Sequence, residues 1–215
     1  MKIIDITMWM GDWVYPGDKP LQLGNPYSAF GKDKEFCYNF STNSADGTHI
    51  QSPHYFLKDG KKINEFPINY FRREAIVVDF YNLRERFISG NELQRQLDKE
   101  NLNNKAVILR TGIMDQLLED EDKDAKDKLM HPEDAQYLID KGVKMIVADA
   151  TCLDAPLENN GNAPTTILFC KHDVVLVKQA CNLQSISKRY VIIEAYPLKI
   201  RGISGTPVRA IVIED

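Results

Sequence analysis

The chain has 215 residues, of which 43% are hydrophobic and 27% charged, and its formal net charge is −4 at pH 7. This length supports one sizeable core or at most two small ones, and the composition is typical of a soluble globular protein. The negative charge argues against a nucleic-acid partner, which would call for a basic face. No apolar run approaches the roughly 18 residues of a membrane span. Because the N-terminus also lacks the apolar block of a signal peptide, we expect a cytoplasmic protein.

The N-terminal half alternates between short strand patterns and loops. Residues 1–6 predict a first strand, which is followed by an aromatic-rich loop with both tryptophans of the chain, Trp9 and Trp13. Residues 35–42 alternate with a period of two, and this predicts a half-buried strand. The continuous apolar run of residues 75–80 is typical of a strand at the centre of a sheet.

The C-terminal half interleaves helix and strand patterns without a linker or an internal repeat. Helices are predicted by helical spacing of apolar residues or by a proline suited to a first turn, at residues 91–97, 132–141 and 164–169. Strands are predicted at residues 105–112, 143–148, 174–177, 190–195 and 208–213. The charged segment 118–128 predicts a solvated surface excursion. Together these patterns predict a single α/β domain over residues 1–215.

The four cysteines, Cys37, Cys152, Cys170 and Cys181, are scattered along the chain without a C-x-x-C pair. This spacing gives no support for a zinc ribbon or a thioredoxin-type motif, and it gives no reason to expect disulfides. We therefore expect free thiols, most of them buried.

The stretch from Asp46 to Phe56 is rich in side chains that carry chemistry. It holds two of the four histidines, His49 and His54, together with an acid, an amide, a phenol and two hydroxyls. Glycine allows a positive φ and proline fixes φ, so Gly47 and Pro53 predict a shaped loop or strand end. Polar groups on such a segment favour a binding or catalytic site. The alternative is a polar surface turn whose histidines form only local hydrogen bonds.

The same stretch resembles a family signature of the form His-x-Gly-Thr-His-x-Asp-x-Pro-x-His-Phe. The chain has Ala-Asp-Gly-Thr-His-Ile-Gln-Ser-Pro-His-Tyr-Phe at residues 45–56. Further segments match in chain order, at residues 15–18, 109–112, 132–154 and 197–210. On these motifs the chain resembles, over nearly its whole length, the cyclase family that includes bacterial kynurenine formamidases and isatin hydrolases. The resemblance implies a compact three-layer β/β/α domain with mixed sheets, and a homodimer or homotetramer.

The resemblance also implies hydrolysis assisted by a pair of zinc or manganese ions. It places the metal ligands at five positions, which in this chain hold Ala45, His49, Gln51, Thr166 and Lys178. Only His49 keeps a ligand of the family type, and Lys178 brings a positive charge to where two cations would bind. Tyr55 stands where the family has a histidine that shuttles protons. The sequence therefore predicts no metal cofactor.

The side chains that replace the lost ligands are mostly polar, which favours a binding site that works without metal. The predicted catalytic residues are His49, Gln51, Tyr55 and Lys178. We expect His49 to act as general base or acid, oriented by Asp46 or Asp149, while Tyr55 and Lys178 stabilise negative charge. Substrate contacts are expected from Trp9, Trp13, Asp46, Thr48, His54, Phe56 and Thr166.

Structural roles remain open for the same residues. His49 could bond only the backbone of its loop, and Lys178 could form a structural ion pair with Asp154 or Glu194. Cys152 could provide a thiolate nucleophile, although the sequence identifies no base for it.

Three classes of function follow from these patterns, each with a small-molecule ligand. The first is an enzyme of the cyclase family that acts without metal on a small amide, lactam or other cyclic molecule. The alternative is a catalytically inactive small-molecule-binding or regulatory protein on the same fold. The third is an ordinary metal-dependent hydrolase of the arylformamidase type.

Overall fold

The computed structural model describes residues 1–28, 30–31, 36–81, 83–119, 126–156 and 160–215. The strands are β1 (Lys2–Asp5), β2 (Gln22–Leu23), β3 (Phe40–Ser41), β4 (His49–Gln51), β5 (Arg72–Asp79), β6 (Ala106–Arg110), β7 (Met145–Ala148), β8 (Val175–Lys178), β9 (Tyr190–Pro197) and β10 (Gly205–Glu214). The α-helices are α1 (Gly90–Leu97), α2 (Ile113–Leu118), α3 (Pro132–Asp140) and α4 (Pro164–Lys171). Short 3-10 helices lie at Pro53–Tyr55, Ile63–Glu65, Ile68–Phe71 and Leu183–Ser185.

Eight of these strands form one mixed sheet that closes on itself. The order is β1-β10-β4-β8-β7-β6-β5-β9, and β9 pairs in addition with β10. Strands β5 to β8 pair in parallel, whereas β1, β4, β9 and β10 join the sheet by antiparallel pairing. The closure gives a barrel-like sheet in which β4 lies between β8 and β10.

Two apolar cores cover the two faces of the parallel strands. Inside the barrel, Val77, Ile108 and Val177 pack together with side chains of the antiparallel strands. On the outer face, Leu109 and Ile146 pack with apolar side chains of α1, α3 and α4. Parallel strands covered on both faces bury both sets of side chains, which explains their continuous apolar runs. The predicted α/β fold is confirmed.

The helices begin where the sequence provides start signals. The side chain of Ser89 accepts a hydrogen bond from the amide of Glu92 and caps α1. Pro132 and Pro164 occupy the first turns of α3 and α4, where a missing amide hydrogen leaves no bond unmade. No helix within the described ranges is long and apolar enough to cross a membrane.

Residues 35–42 depart from the predicted half-buried strand. Glu35 lies outside the described residues, and every side chain from 36 to 41 is exposed. Only β3 forms a strand in this segment, paired with β2 in a small separate sheet. The prediction of burial is wrong because alternating apolar and polar residues indicate a strand with two different faces. They do not show that the apolar face packs against a core.

The charged segment 118–128 is described only in part, since residues 120–125 lie outside the described ranges. Asp127 is not freely solvated: its carboxylate accepts hydrogen bonds from the amides of Thr151 and Cys152. The expectation of a solvated excursion is therefore wrong at Asp127, because a long-range backbone contact is invisible in a local charge pattern.

Candidate functional site

The candidate site lies where β4 meets the carboxyl end of β8. The two strands pair antiparallel, with His49 directly opposite Lys178. Side chains alternate across a strand, so Gln51 lies on the same face as His49, while Ile50 belongs to the barrel core. The turn after β7, which carries Cys152, reaches the same place. Ligand sites in α/β folds gather at the carboxyl ends of parallel strands, as in this chain.

A cavity of about 160 Å³ collects these side chains. It is lined by the four predicted catalytic residues and one predicted substrate contact: His49, Gln51, Tyr55, Lys178 and Phe56. Its other walls are Tyr15, Asp18, Ala45, Thr151, Cys152, Pro156 and Gln179. Pockets for drug-sized ligands occupy about 300–1,000 Å³, so this cavity suits only a small molecule.

His49 is a neutral imidazole whose tautomer is set by its neighbours. Its Nδ1 lies 2.9 Å from the carbonyl oxygen of Gly47, which can only accept, so Nδ1 carries the proton. Nε2 therefore keeps its lone pair, to which the Nε2 amide of Gln51 donates at 3.0 Å. Burial, reinforced by the charge of Lys178, lowers the pKa of His49 to about 4. The ring is thus uncharged at neutral pH, and Gln51 covers its lone pair.

The backbone of Gly47 holds the imidazole in place. Its φ is +63°, and a Cβ there would lie 3.2 Å from the side chain of Met10 and 3.3 Å from the carbonyl oxygen of Met8. A residue with a side chain would be both strained and crowded at this position. Glycine therefore fixes the direction of the carbonyl group that orients His49.

The two carboxylates expected to orient the imidazole do not bond it. Asp46 accepts hydrogen bonds from the amide of Gly11 and the hydroxyl of Thr42. Asp149 accepts bonds from the turn at residues 111–112. Burial raises the pKa of Asp149 to about 7, although these hydrogen bonds oppose the shift. The expectation is wrong because both carboxylates are already used to hold neighbouring loops.

Lys178 brings a buried ammonium group to the cavity. The residue is 3% exposed, and its Nζ lies 3.9 Å from the Sγ of Cys152. The proposed structural ion pairs do not form, because Asp154 accepts bonds from the first amides of α4 and Glu194 pairs with Arg72. The ion pairs between described residues do not include Lys178. Burying an ammonium is costly, so its presence favours a role in the site.

Asp127 holds the turn that carries Cys152. Its carboxylate accepts a 3.0 Å hydrogen bond from the amide of Cys152 and further bonds from the amide and hydroxyl of Thr151. Burial raises the pKa of Asp127, while these bonds and the charge of Lys178 oppose the shift. Asp127 therefore fixes the loop that places the thiol beside the ammonium.

Aromatic residues form another wall of the cavity. Tyr55 is the last residue of a 3-10 helix, so the strand alternation expected for His54 and Tyr55 does not apply, and His54 does not line the cavity.

The ring centroids of Tyr55 and Phe56 lie 5.3 Å apart, and those of Tyr15 and Trp13 lie 6.0 Å apart. Trp13 itself does not line the cavity. Burial raises the pKa of Tyr15 and of Tyr55, so both phenols can donate hydrogen bonds at neutral pH.

Other residues predicted to contact substrate have structural partners or lie elsewhere. The hydroxyl of Thr48 donates to the carbonyl of Gln179 at 2.6 Å, and that of Thr166 donates to Asp154 at 2.6 Å. Trp9 is 74% exposed and lines a separate cavity of about 540 Å³. Thr48 therefore holds the backbone of the cavity-wall residue Gln179, and Thr166 bonds Asp154. Neither threonine lines the candidate cavity, and Trp9 lines a different one.

The sequence and the fold both match known proteins. The sequence matches a family model described as "Putative cyclase" over residues 4–155. The chain belongs to this family. A kynurenine formamidase of Bacillus cytotoxicus is 30% identical over 211 residues, which are 97% of this chain and 96% of that protein. A kynurenine formamidase of Bacillus mycoides is 28% identical over 213 residues, which are 97% of this chain and 91% of that protein.

The cyclase-family fold is also seen in solved structures. Isatin hydrolase A from Ralstonia solanacearum superposes with a TM-score of 0.84 at 21% identity, covering 100% of this chain and 92% of that one. Sequence identity this low shows a shared fold alone. The closed mixed sheet with helices on its outer face is therefore the fold of the cyclase family.

The side chains of this family member do not fit the family's metal pair. Ala45 has no ligating atom, Thr166 is fully buried, and Lys178 is a cation. The remaining lone pair of His49 is bonded by Gln51. Within the described parts of the chain, no group of three or more His, Cys, Asp or Glu side chains could hold a metal ion. No catalytic step is therefore assigned to a metal.

Two glutamines of the cavity wall have unsatisfied oxygens. The Oε1 atoms of Gln51 and Gln179 are buried without a hydrogen-bond partner among the described residues. The backbone of Gln179 also has a φ of +55°, which residues other than glycine rarely adopt. Strain and unmet polar atoms at a cavity wall are typical of ligand sites. Sequence reasoning missed Gln179, because neither feature follows from residue type.

Proposed function

We propose that this cyclase-family chain hydrolyses a small amide, lactam or other cyclic molecule without a bound metal, through His49, Tyr55 and Lys178. The observation that carries the proposal is the buried ammonium of Lys178, which lines one small cavity together with the other two side chains. The names of the relatives, kynurenine formamidase and isatin hydrolase, support hydrolysis of a small molecule.

Lys178 replaces the electrostatic role of a metal. When water adds to a carbonyl group, the carbonyl oxygen gains negative charge, and a fixed positive group beside that oxygen stabilises it. The ammonium is covalently tethered to β8 and opposite β4, so it needs no reorganisation as the charge forms. The phenol of Tyr55 lines the same cavity and donates a second hydrogen bond to the oxygen.

His49 accepts the proton of the attacking water through Nε2. A low pKa keeps the ring in its basic form at neutral pH. The Gln51 amide donates to that lone pair, so the amide must turn away before His49 can act. A substrate that binds the amide of Gln51 would therefore break its hydrogen bond to His49 and free the Nε2 lone pair to accept a proton.

A panel of small formamides, anilides and lactams tests the proposal. Lys178→Met should lower turnover of any substrate found by roughly 100- to 1,000-fold, as for loss of an oxyanion donor. Lys178→Arg should retain more activity because it keeps the charge, and Tyr55→Phe should lose roughly tenfold. Lys99→Met, an exposed site, is the matched control. Full turnover by Lys178→Met would contradict the proposal.

A binding protein without catalysis is the second candidate. The observation in its favour is the hydrogen bond from Gln51 to the lone pair of His49, which keeps this base from accepting another proton. Under this alternative, members of the panel raise the unfolding temperature of the protein but are recovered chemically unchanged. A metal-dependent arylformamidase ranks third, because the metal-ligand positions do not fit an ion.

Other properties stay predictions. These are a single domain over residues 1–215, a cytoplasmic location and self-association as a homodimer or homotetramer. Exposed aromatic side chains near the N-terminus, such as Trp9, Phe36 and Phe40, support self-association. Sedimentation of the purified chain measures its oligomeric state directly.

A further inference from the structure

Among the described residues, Cys152 is the strong nucleophile of the cavity wall. We propose that its sulfur attacks the substrate carbonyl and forms a thioester intermediate, which water then hydrolyses. This inference rests on the proposed function, because it uses the same cavity and the same class of substrate. It replaces direct attack by water with two easier steps.

The contact with Lys178 activates the thiol. Cysteine attacks as the thiolate, and an ammonium group beside the sulfur stabilises that anion. The Sγ of Cys152 lies 3.9 Å from the Nζ of Lys178, and both residues are more than nine-tenths buried. The hydrogen bonds to Asp127 fix the turn so that the sulfur stays beside the ammonium.

The other described thiols lack this setting. Burial raises the pKa of Cys170 to about 11, although the charge of Lys178 opposes the shift, and burial raises that of Cys181 to about 11, so both remain protonated at neutral pH. Neither residue lines the cavity. Cys37 is exposed and lies outside the cavity wall. Of the described cysteines, Cys152 alone combines cavity access with an ammonium neighbour.

Independent features of the same wall call for a ligand. The residues Gln51 and Gln179 are 5% and 2% exposed, and the Oε1 atom of each lacks a partner among the described residues. Both can accept hydrogen bonds from an N–H group, which is what an amide or lactam presents. Cys152 and Lys178 lie in the same cavity wall, so a carbonyl group of such a ligand shares this small cavity with the sulfur and the ammonium.

The steps balance without an added reactant. His49 takes the thiol proton as the S–C bond forms and gives it to the leaving nitrogen as the C–N bond breaks, while Lys178 stays an ammonium. Water then adds to the thioester carbon as the S–C bond breaks, and His49 passes a water proton back to the sulfur. The sum is amide plus water giving carboxylic acid plus amine.

An activated ester provides a test that needs no natural substrate. The full-length chain with Cys37→Ser is mixed with p-nitrophenyl acetate, quenched in acid and analysed by intact mass and peptide mapping. We expect one acetyl group on residue 152, removed by neutral hydroxylamine as thioesters are. Cys152→Ala should lose the label, and Lys178→Met should slow labelling by about tenfold or more. Cys170→Ala should label as the parent does.

Three results would overturn the inference. They are absence of the acetyl group from the parent, a label on Lys178 instead of Cys152, and equal labelling of Cys152→Ala. Failure of the two proposals is distinguishable. If Cys152→Ala still hydrolyses amides while Lys178→Met does not, direct attack by water stands and the thioester is excluded.

Discussion

His49 and Lys178 lie directly opposite each other on paired antiparallel strands, and the charge of the lysine helps to keep the histidine neutral. The family resemblance places metal ligands at these two positions. In this chain Lys178 itself carries a positive charge, and His49 lies opposite it. A site built this way repels an added cation, while an anion that forms in the cavity meets a permanent counter-charge. The pair therefore sets both the protonation of the site and the charge that it stabilises.

The protonation state of His49 is the first prediction. We expect nitrogen-15 NMR to show a proton on Nδ1 and a lone pair on Nε2 at neutral pH, with titration at about 4. A His49 signal that titrates near the ordinary value of about 6.5 would show that burial and Lys178 do not govern the ring.

Stability should depend on pH through His49. Its folded pKa lies below the unfolded value, so stability is lost as pH falls from about 6.5 to about 4. The loss should reach about 3 kcal/mol, since each unit of pKa shift is worth about 1.4 kcal/mol. Urea denaturation of wild type and His49→Gln across this range measures the difference. Asp149 titrates in the same window in both proteins and cancels; parallel curves would contradict the prediction.

Lys178→Met should separate stability from activity. Replacing a buried charge by an apolar side chain of similar length is expected to leave the free energy of unfolding unchanged or to raise it by on the order of 1 kcal/mol. Urea midpoints measure this, with Lys178→Arg as the variant that keeps the charge. A marked loss of stability in Lys178→Met would indicate a structural ion pair and would weaken the case for a catalytic role of this residue.

The sequence predicted those strands and helices whose apolar residues recur with a clear period. Burial of one face gives such a period, and burial of both faces gives a continuous apolar run. It was less informative for residues 36–41, where alternating aromatics face solvent. The spacing of apolar residues indicates whether a segment is a strand or a helix. Which face of that segment is buried depends on contacts with residues far along the chain.

The candidate site was predictable to a similar degree. The signature stretch and its register identified His49, Gln51, Tyr55 and Lys178, all of which line the cavity. The role of Asp127 was not predictable, because its bonds to Cys152 span 25 positions of sequence. The left-handed backbone at Gln179 and the tautomer of His49 arise from geometry and leave no trace in residue type.

Metal dependence of hydrolysis tests the central claim most directly. The protein is stripped with a chelator, and turnover of the best amide from the panel is measured with and without added zinc or manganese, alongside metal content. The variant Ala45→His, Gln51→Asp, Thr166→His, Lys178→Glu puts a metal-ligating side chain at each position where the resemblance places a ligand, and it serves as the metal-binding control. We predict unchanged turnover after stripping and no stoichiometric metal in the native chain. Loss of turnover that zinc or manganese restores, with metal bound in stoichiometric amount, would contradict the account.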